Sequence, residues 1–394
     1  MSKALLAIFG VLVIDSMGMG LIMPILPSLI RDVGRLSATG WQFGALLSMD
    51  AALQFLVAPL RRALSDRYGR RPVLLVSLAG ASVDYVFMAF APSLAFLFIV
   101  RAISGMTGAN DAVASAYITD ITPEADRAKR FGQVGAIFGI GFILGPILGG
   151  VLGAHWVRLP FLAAAVLNAV NFLFVALVVP ESRKGSKDAV VPAVSLLGPV
   201  KPLIEFGFIW KLITVAVIFG FVGEVAGTIW VLYAEDKFAW DPTMIGISLT
   251  AFGVFHIASQ AVMVGPLGKY LGERGGLLFS MAADGLAYVL MALAGQGWMA
   301  FALMPLFALG GSGGPILQGL LSGQVDGDRQ GTLMGLMTGL QSIVSIFAPL
   351  SISLIYFATR DVFPGTVWIG AAAMYLVALP FLFGAFKKAP VPVG

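Results

Sequence analysis

Uncharged apolar stretches long enough to cross a lipid bilayer recur along this chain of 394 residues. A helix needs about 20 predominantly apolar residues to span the hydrocarbon core. Four stretches contain no charged residue at all, and they are 131–154, 159–180, 331–359 and 362–386. A soluble domain lacks the interior to bury so many segments of this kind, so the sequence predicts an all-α membrane protein.

Shorter or lightly charged apolar stretches complete the set, giving twelve predicted transmembrane helices. They are expected near 3–29, 42–64, 73–92, 95–119, 131–153, 160–180, 209–234, 243–264, 275–294, 297–322, 330–355 and 365–387. The first span carries Asp15 at its centre and is followed by no convincing cleavage site, so we interpret it as a retained helix and not as a signal peptide.

The composition restricts the possible chemistry. Charged residues make up only 12% of the chain, against about 25% in an ordinary soluble domain. There is no cysteine, which excludes disulfides, thiolate metal sites and a cysteine nucleophile. Neither a nucleotide-binding motif nor a metal-ligand cluster is recognisable. The sequence therefore predicts neither an enzyme nor a resident metal or cofactor.

The distribution of basic residues predicts the orientation. With both termini in the cytoplasm, 19 of the 25 Lys and Arg fall in inside loops, as the positive-inside rule requires. Five fall outside, namely Arg31, Arg35, Arg158, Lys237 and Arg360. The basic excess then faces anionic lipid, and nothing indicates a nucleic-acid partner.

The chain also repeats itself. Tyr85-Val-Phe-Met-Ala-Phe-Ala is echoed by Tyr288-Val-Leu-Met-Ala-Leu-Ala, and the segment 58–67 by 265–274. The repeat predicts an N-terminal six-helix bundle over 1–180, a cytoplasmic linker over 181–208 and a C-terminal six-helix bundle over 209–394. Parallel repeats of this kind are typical of transporters that rock around a site near the membrane midplane.

Several motifs resemble those of a known family. Leu64-Ser-Asp-Arg-Tyr-Gly-Arg-Arg-Pro72 resembles the loop motif of the major facilitator superfamily, and 139–150 resembles its antiporter motif in the fifth helix. The segments 15–27, 73–85, 180–185, 230–238 and 282–285 are similar to the tetracycline/proton antiporters of that superfamily. The resemblance covers nearly the whole chain and implies the major facilitator fold, with two pseudo-symmetric six-helix bundles.

Two of these motifs have a physical interpretation of their own. Asp66, Arg67, Arg70 and Arg71 are candidates for a gating loop, since their ion pairs can hold cytoplasmic helix ends together in one of two states. The alternative is a solvated basic turn that only sets topology. In the antiporter motif, Gly139, Gly145, Pro146, Gly149 and Gly150 permit close helix approach and a bend, which serves packing as well as gating.

Charges within the spans are costly in lipid and therefore point to function. Burial favours the neutral form of a carboxyl, so such a group can bind and release a proton at physiological pH. The resemblance assigns proton coupling to Asp15, Asp84 and Asp284, with His256 on a family histidine. Arg101 keeps its charge and is expected to act as a fixed partner. The alternative for each is a structural ion pair or interhelical hydrogen bond.

Candidate substrate-binding residues are the remaining polar side chains of the spans. They are Asp50, Gln54, Asp111, Asn168, Glu224, Gln260 and Gln318. Any of them can instead join helices by hydrogen bonds. Asp50, Asp111 and Glu224 depart from the family pattern, as do Arg61 and Arg62. The added carboxyls favour a more cationic substrate or an altered proton stoichiometry.

These observations together predict a proton-coupled exporter of amphipathic drugs in a bacterial inner membrane. Tetracycline, carried with a chelated divalent cation, is the substrate that the resemblance suggests. One alternative is a multidrug or metabolite/proton antiporter with a more cationic substrate. Another is an uncoupled facilitator or channel, which the buried carboxyls disfavour.

Overall fold

The computed structural model describes residues 3–35, 40–108, 110–183 and 202–386, and the regular secondary structure within these ranges is helical. The α-helices are α1 Lys3–Ile22, α2 Leu26–Gly34, α3 Gln42–Tyr68, α4 Arg70–Ala89, α5 Leu94–Thr107, α6 Asn110–Ile121, α7 Glu124–His155, α8 Leu159–Val178, α9 Trp210–Phe238, α10 Pro242–Val262, α11 Val264–Leu293, α12 Gly297–Gly310, α13 Gly313–Ser322, α14 Gln330–Thr359 and α15 Thr366–Phe386. The prediction of an all-α membrane protein is confirmed.

Helix length and hydropathy agree with most of the predicted spans. In the part of the chain that the structure describes, 11 helical segments are long and apolar enough to cross a membrane. The predicted span 95–119 is the one not among them, because the chain breaks it into α5 and α6. Gly108 ends α5 in an extended conformation, with its N–H donating to the carbonyl of Ser104. Thr107, Asn110 and Asp111 flank Gly108, so the break coincides with a polar interruption of the apolar pattern.

Two compact units can be distinguished. The first consists of the described residues of Met1–Val194 together with Ala239–Val254, and the second of those of Ser195–Phe238 and Phe255–Gly394. The segment 239–254 therefore groups with the first unit, although the predicted domain boundary places it in the C-terminal bundle. Most of the predicted linker, from 184 to 201, lies outside the described residues.

The first unit is organised around close packing of α1 on α7. Gly20 and Gly145 face each other so closely that a Cβ on Gly20 would lie 3.0 Å from the Cα of Gly145. Gly149 lies against the backbone of Leu21, where a Cβ would collide with the carbonyl oxygen. Small residues at interhelical contacts allow this approach, and dispersion between the two backbones stabilises the helix pair.

In the second unit, α11 packs against α12 and α15, and α9 packs against α14 and α15. The core between them is aromatic. The fully buried Trp368 stacks on Tyr288 with a centroid separation of 5.6 Å, and Tyr233 meets its edge at 5.4 Å. Offset and edge-to-face pairs of this kind each contribute about 0.5–1.5 kcal/mol beyond burial.

Among the described residues, each unit has one glycine with positive φ. Gly69, between α3 and α4, has φ 100°, and Gly272, within α11, has φ 67°. Both combine positive φ with extended ψ, a region essentially restricted to glycine.

Candidate functional site

Charged side chains of α3, α4 and α5 meet inside the first unit. The guanidinium of Arg101, from α5, lies 3.1 Å from Oδ2 of Asp50 and 3.6 Å from Oδ2 of Asp84. The three side chains are only 12%, 15% and 4% exposed, respectively. We call this group of three residues the arginine cluster. It places a predicted proton-coupling acid and a predicted substrate-binding acid on one cation.

Further polar groups surround the arginine cluster. The amide of Gln54 donates to Oδ2 of Asp50 at 2.8 Å, as expected for residues one turn apart. Arg61 donates to the carbonyl oxygens of Gln54 and Gly105, at 2.8 and 3.5 Å. Arg61, a departure from the family pattern, thus links α3 to α5 beside the cluster.

Asp15 occupies a separate place in the same unit. It is buried in α1 at 7% exposure and accepts a 2.6 Å hydrogen bond from the side-chain amide of Asn110, at the start of α6. Because α6 begins directly after the break at Gly108, the first turn of α6 supplies this donor. Asp111, the next residue, has a side chain outside the described set, so its predicted role in substrate binding stays a prediction.

The third predicted coupling acid has an uncharged partner. Asp284 of α11 is 7% exposed, and its Oδ2 accepts a 2.6 Å hydrogen bond from the hydroxyl of Tyr375 on α15. On its other side, a Cβ on Gly310 would collide with the Cβ of Asp284. The glycine therefore lets α12 approach Asp284 closely, and the tyrosine hydroxyl supplies a hydrogen bond to the carboxyl group.

Glu224 of α9 is hydrogen-bonded to α14. Ser345 donates to its Oε1 at 2.6 Å, and the amide of Gln341 does so at 3.5 Å. A Cβ on Gly220 would collide with the Gln341 amide, so α9 and α14 lie close together at this turn. Glu224 is therefore half-buried with uncharged donors around one of its oxygens.

The other predicted polar residues make local contacts. Gln260 donates to the carbonyl of Gly311 at 3.2 Å, and the His256 ring lies against the same glycine. The amide of Asn168 donates to Ala164, one turn earlier in α8, and that of Gln318 contacts the sulfur of Met334 at 3.3 Å.

The predicted gating loop forms an ion-pair network centred on Arg70. Its guanidinium lies 2.8 Å from Asp66 and 3.0 Å from Asp120 of α6, and it donates to Ser65 at 3.0 Å. Arg183 lies 3.6 Å from Asp66 on the other side. Arg70 is itself buried, so the network is better shielded from water than an ordinary surface turn.

Glu181 completes this network from the end of the first unit. Its carboxylate accepts hydrogen bonds from the backbone N–H groups of Arg70 and Arg71, at 2.9 and 3.2 Å, at the beginning of α4. The side chain of Arg71 donates back to the carbonyl of Ala176 in α8. A Cβ at Gly69 would lie 2.5 Å from the Glu181 carboxylate, so only glycine fits beneath it. Arg67, by contrast, lies over the neighbouring Tyr68 ring.

The glycines of the antiporter motif are distributed over two contacts of α7. Gly145 and Gly149 face α1, whereas Gly150 faces Pro242 and Gly246 of α10, where a Cβ would collide with the Pro242 carbonyl. The carbonyl of Pro146 lies equally close to Gly246. Gly139 is half-buried on the same helix. The motif therefore leaves α7 without bulky side chains where it contacts α1 and where it contacts α10.

Sequence reasoning did not find four of the partners described above: Asp120, Glu181, Ser345 and Tyr375. Glu181 falls within a segment that resembles the family, but it lies outside any span and was not singled out. Tyr375 and Ser345 occupy uncharged stretches in which a hydroxyl gives no distinctive signal. Asp120 lies near the end of α6, where a charge is ordinary.

Long apolar helices with buried ionisable residues, grouped in two units that share an internal repeat, define a polytopic membrane transporter. The sequence model of the Major Facilitator Superfamily matches residues 8–229. The tetracycline resistance protein, class C, of Escherichia coli is 46% identical over 98% of both chains, and the class G protein of Vibrio anguillarum is 44% identical over 99% of both. The chain belongs to the Major Facilitator Superfamily and, within it, to the family of these tetracycline resistance proteins.

Solved structures agree on the fold. The nucleoside transporter NupG superposes with a TM-score of 0.76 at 15% identity, covering 99% of this chain and 100% of that one. The human organic anion transporter MFSD10 (TETRAN) gives 0.69 at 21% identity, covering 96% and 99%. At such identities the likeness concerns the fold alone, and it agrees with the predicted major facilitator architecture.

Proposed function

We propose that this chain exports tetracycline, as a chelate with a divalent cation, from the cytoplasm of a bacterium in exchange for protons. The observation that carries the proposal is the placement of three buried carboxyls, Asp15, Asp84 and Asp284, within apolar helices of a chain 46% identical to a tetracycline resistance protein. A secondary transporter of this family is not an enzyme, and the proton gradient supplies the energy.

The roles of the acids follow from their surroundings. Asp84 lies beside a fixed cation, and Asp284 beside a neutral hydroxyl, so both have a partner that favours the ionised form within a medium that favours the neutral one. This balance lets a carboxyl exchange a proton near neutral pH. Asp15, Arg101 and His256 are proposed to assist coupling, and Gln54, Asn168, Gln260 and Gln318 to contact substrate.

Transport by inverted membrane vesicles tests the proposal. With an acidic interior and magnesium present, wild-type vesicles are expected to accumulate labelled tetracycline, and a protonophore should abolish the accumulation. Asp284→Asn should lose accumulation but keep exchange of labelled for unlabelled tetracycline. Wild-type vesicles that take up no tetracycline, or take it up equally with the protonophore, would contradict the proposal. Uptake insensitive to the protonophore would favour an uncoupled facilitator.

A second candidate function, antiport of a more cationic drug, is favoured by Glu224, whereas Asp50 is already paired with Arg101. A carboxylate near a bound ammonium contributes about 1 kcal/mol even in water and more at lower dielectric. Glu224 is the carboxylate to test, because its hydrogen-bond partners are uncharged and leave its charge unbalanced by a cation. Glu224→Gln should then lower uptake of cationic drugs several-fold and leave tetracycline uptake nearly unchanged. An unaltered substrate profile would assign Glu224 to joining α9 and α14.

The loop between α3 and α4 is proposed to gate the cytoplasmic side, with both termini in the cytoplasm. A cluster of ion pairs biases two states only if its pairs differ between them. Asp66→Asn removes an ion-pair partner that Arg70 and Arg183 share, leaving Arg70 with Asp120, and should lower turnover more than substrate affinity. Because the chain contains no cysteine, single introduced cysteines on either side can report the state by their labelling rates. Unchanged labelling and turnover would leave the loop as a topology determinant.

A further inference from the structure

The arginine cluster contains more negative than positive charge. Asp50 and Asp84 share the single guanidinium of Arg101, and all three side chains are largely removed from solvent. Other titratable groups near it are Arg61 on α3, Tyr85 on α4 and, through its interaction with Tyr85, Asp15 on α1. Arg61 donates its hydrogen bonds to the carbonyl oxygens of Gln54 and Gly105, and its charge also interacts with Asp50.

Asp50 holds the guanidinium more firmly than Asp84 does. Its oxygen is the nearer one, at 3.1 Å against 3.6 Å, and the same oxygen accepts a hydrogen bond from Gln54. The position of Asp50 is further fixed by Gly105, where a Cβ would lie 3.2 Å from its other carboxylate oxygen. Asp50 is therefore placed by α3 and α5 together, whereas the groups that stabilise ionised Asp84, Arg101 and the hydroxyl of Ser104, both belong to α5.

This difference decides what happens when Asp84 gains a proton. In a simple ion pair, neutralising the acid would leave a buried guanidinium without its counter-charge, which is strongly unfavourable. With Asp50 present, Arg101 stays paired whichever form Asp84 takes. We propose that Asp50 is a positioning residue that retains Arg101 while Asp84 takes up and releases the transported proton. The inference rests on the proposed proton-coupled function.

The test compares wild-type protein with Asp50→Asn, Asp50→Glu and the control Asp32→Asn. Asp32 also pairs with an arginine, Arg158 at 3.0 Å, but near a helix end and half exposed. Infrared spectra of the purified protein follow the protonated carboxyl band that Asp84→Asn removes. In Asp50→Asn, Asp84 is the remaining carboxylate paired with Arg101. Half-protonation of Asp84 should therefore require a proton concentration at least about tenfold higher than in wild type. Asp50→Glu and Asp32→Asn should keep the wild-type titration.

Vesicle transport gives the second readout. Asp50→Asn should move the pH of half-maximal gradient-driven uptake downward by a matching amount. Asp50→Ser, smaller and also neutral, carries the same expectation if Asn does not give folded protein. The inference is overturned if the infrared titration does not shift in the neutral variants. It is also overturned if exchange and gradient-driven uptake are lost together while the titration stays normal. Wild-type vesicles that fail to transport tetracycline would instead refute the proposed function, since the infrared titration needs no substrate.

Discussion

The two units of this protein stabilise a buried carboxyl in different ways. In the first, Asp84 faces the guanidinium of Arg101, which it shares with Asp50. In the second, Asp284 accepts a hydrogen bond from the hydroxyl of Tyr375 and lies beside an aromatic core. A charged partner stabilises the ionised acid more strongly than a hydroxyl does, but it also needs a counter-charge of its own when the acid is neutral. The internal repeat has thus kept an acid on related helices and changed its chemistry.

The acids also differ in register. Asp84 precedes Tyr85 by one residue, whereas Asp284 precedes the equivalent Tyr288 by four. The offset is close to one helical turn, so both acids lie on the same face of their helix but at different depths. The two halves of the repeat therefore share the helix face that carries the acid, but not the position of the acid along the helix.

Among the substitutions that test this difference between the units, Arg101→Ala should have the largest effect on stability. Arg101→Ala removes the cation that Asp50 and Asp84 share and leaves Asp50 with the amide of Gln54, which we expect to cost about 3–5 kcal/mol. The yield of folded protein and its melting temperature in detergent should fall sharply. Combining Arg101→Ala with Asp50→Asn should recover part of the loss. A melting temperature equal to that of wild type would mean that the cluster is solvated.

In the second unit, the corresponding change is Tyr375→Phe, and its effect should be smaller. It removes one hydroxyl donor to Asp284, worth about 1.5–3 kcal/mol for a charged acceptor, and keeps the ring that packs on Phe219. Gradient-driven uptake should slow by about tenfold because the ionised form of Asp284 is harder to reach. Tyr233→Phe, which removes a hydroxyl that donates to the carbonyl of Met291, is the matched control. Equal slowing in both variants would contradict a specific role for Tyr375.

The positive-φ glycines sharpen the comparison further. Alanine at either Gly69 or Gly272 enters a strained backbone region at a cost of about 1–3 kcal/mol. At Gly69 the new Cβ also meets the Glu181 carboxylate, whereas at Gly272 nothing lies within 4 Å. Gly69→Ala should therefore lower the melting temperature more than Gly272→Ala does. The reverse order would show that the Glu181 contact is easily given up.

The smallest effects are expected at the exposed ion pairs. Asp32 pairs with Arg158 in the first unit, and Asp236 pairs with Arg360 in the second, each at 3.0 Å. An exposed pair contributes at most about 1 kcal/mol, so Asp32→Asn should be nearly silent in thermal unfolding. Asp236 also accepts a 2.8 Å hydrogen bond from Tyr356, so Asp236→Asn should destabilise somewhat more. Identical melting of the two variants would argue that the tyrosine adds nothing.

The sequence predicts the helical class, most spans and the buried acids, because each depends on local composition. It does not predict which polar residues meet. Arg101 is separated along the chain from both Asp50 and Asp84, and the pairing depends on how α3, α4 and α5 pack. Tyr375 lies in an uncharged stretch, where nothing distinguishes it from an interfacial aromatic residue. The break at Gly108 coincides with the polar residues Thr107, Asn110 and Asp111, but composition alone does not show that the helix ends there.

Helix α7 has a practical consequence for measuring distances within the first unit. Near its start, Gly132 and Gly135 have nothing within 4 Å of an added Cβ, whereas Gly145 and Gly149 have no room for one. The same helix therefore offers sites where a spin label can be attached without disturbance and sites where even a methyl group must separate α7 from α1. The chain has no cysteine to remove before labelling. A spin label at Gly135 would therefore report how far α7 moves when alanine at Gly149 separates it from α1.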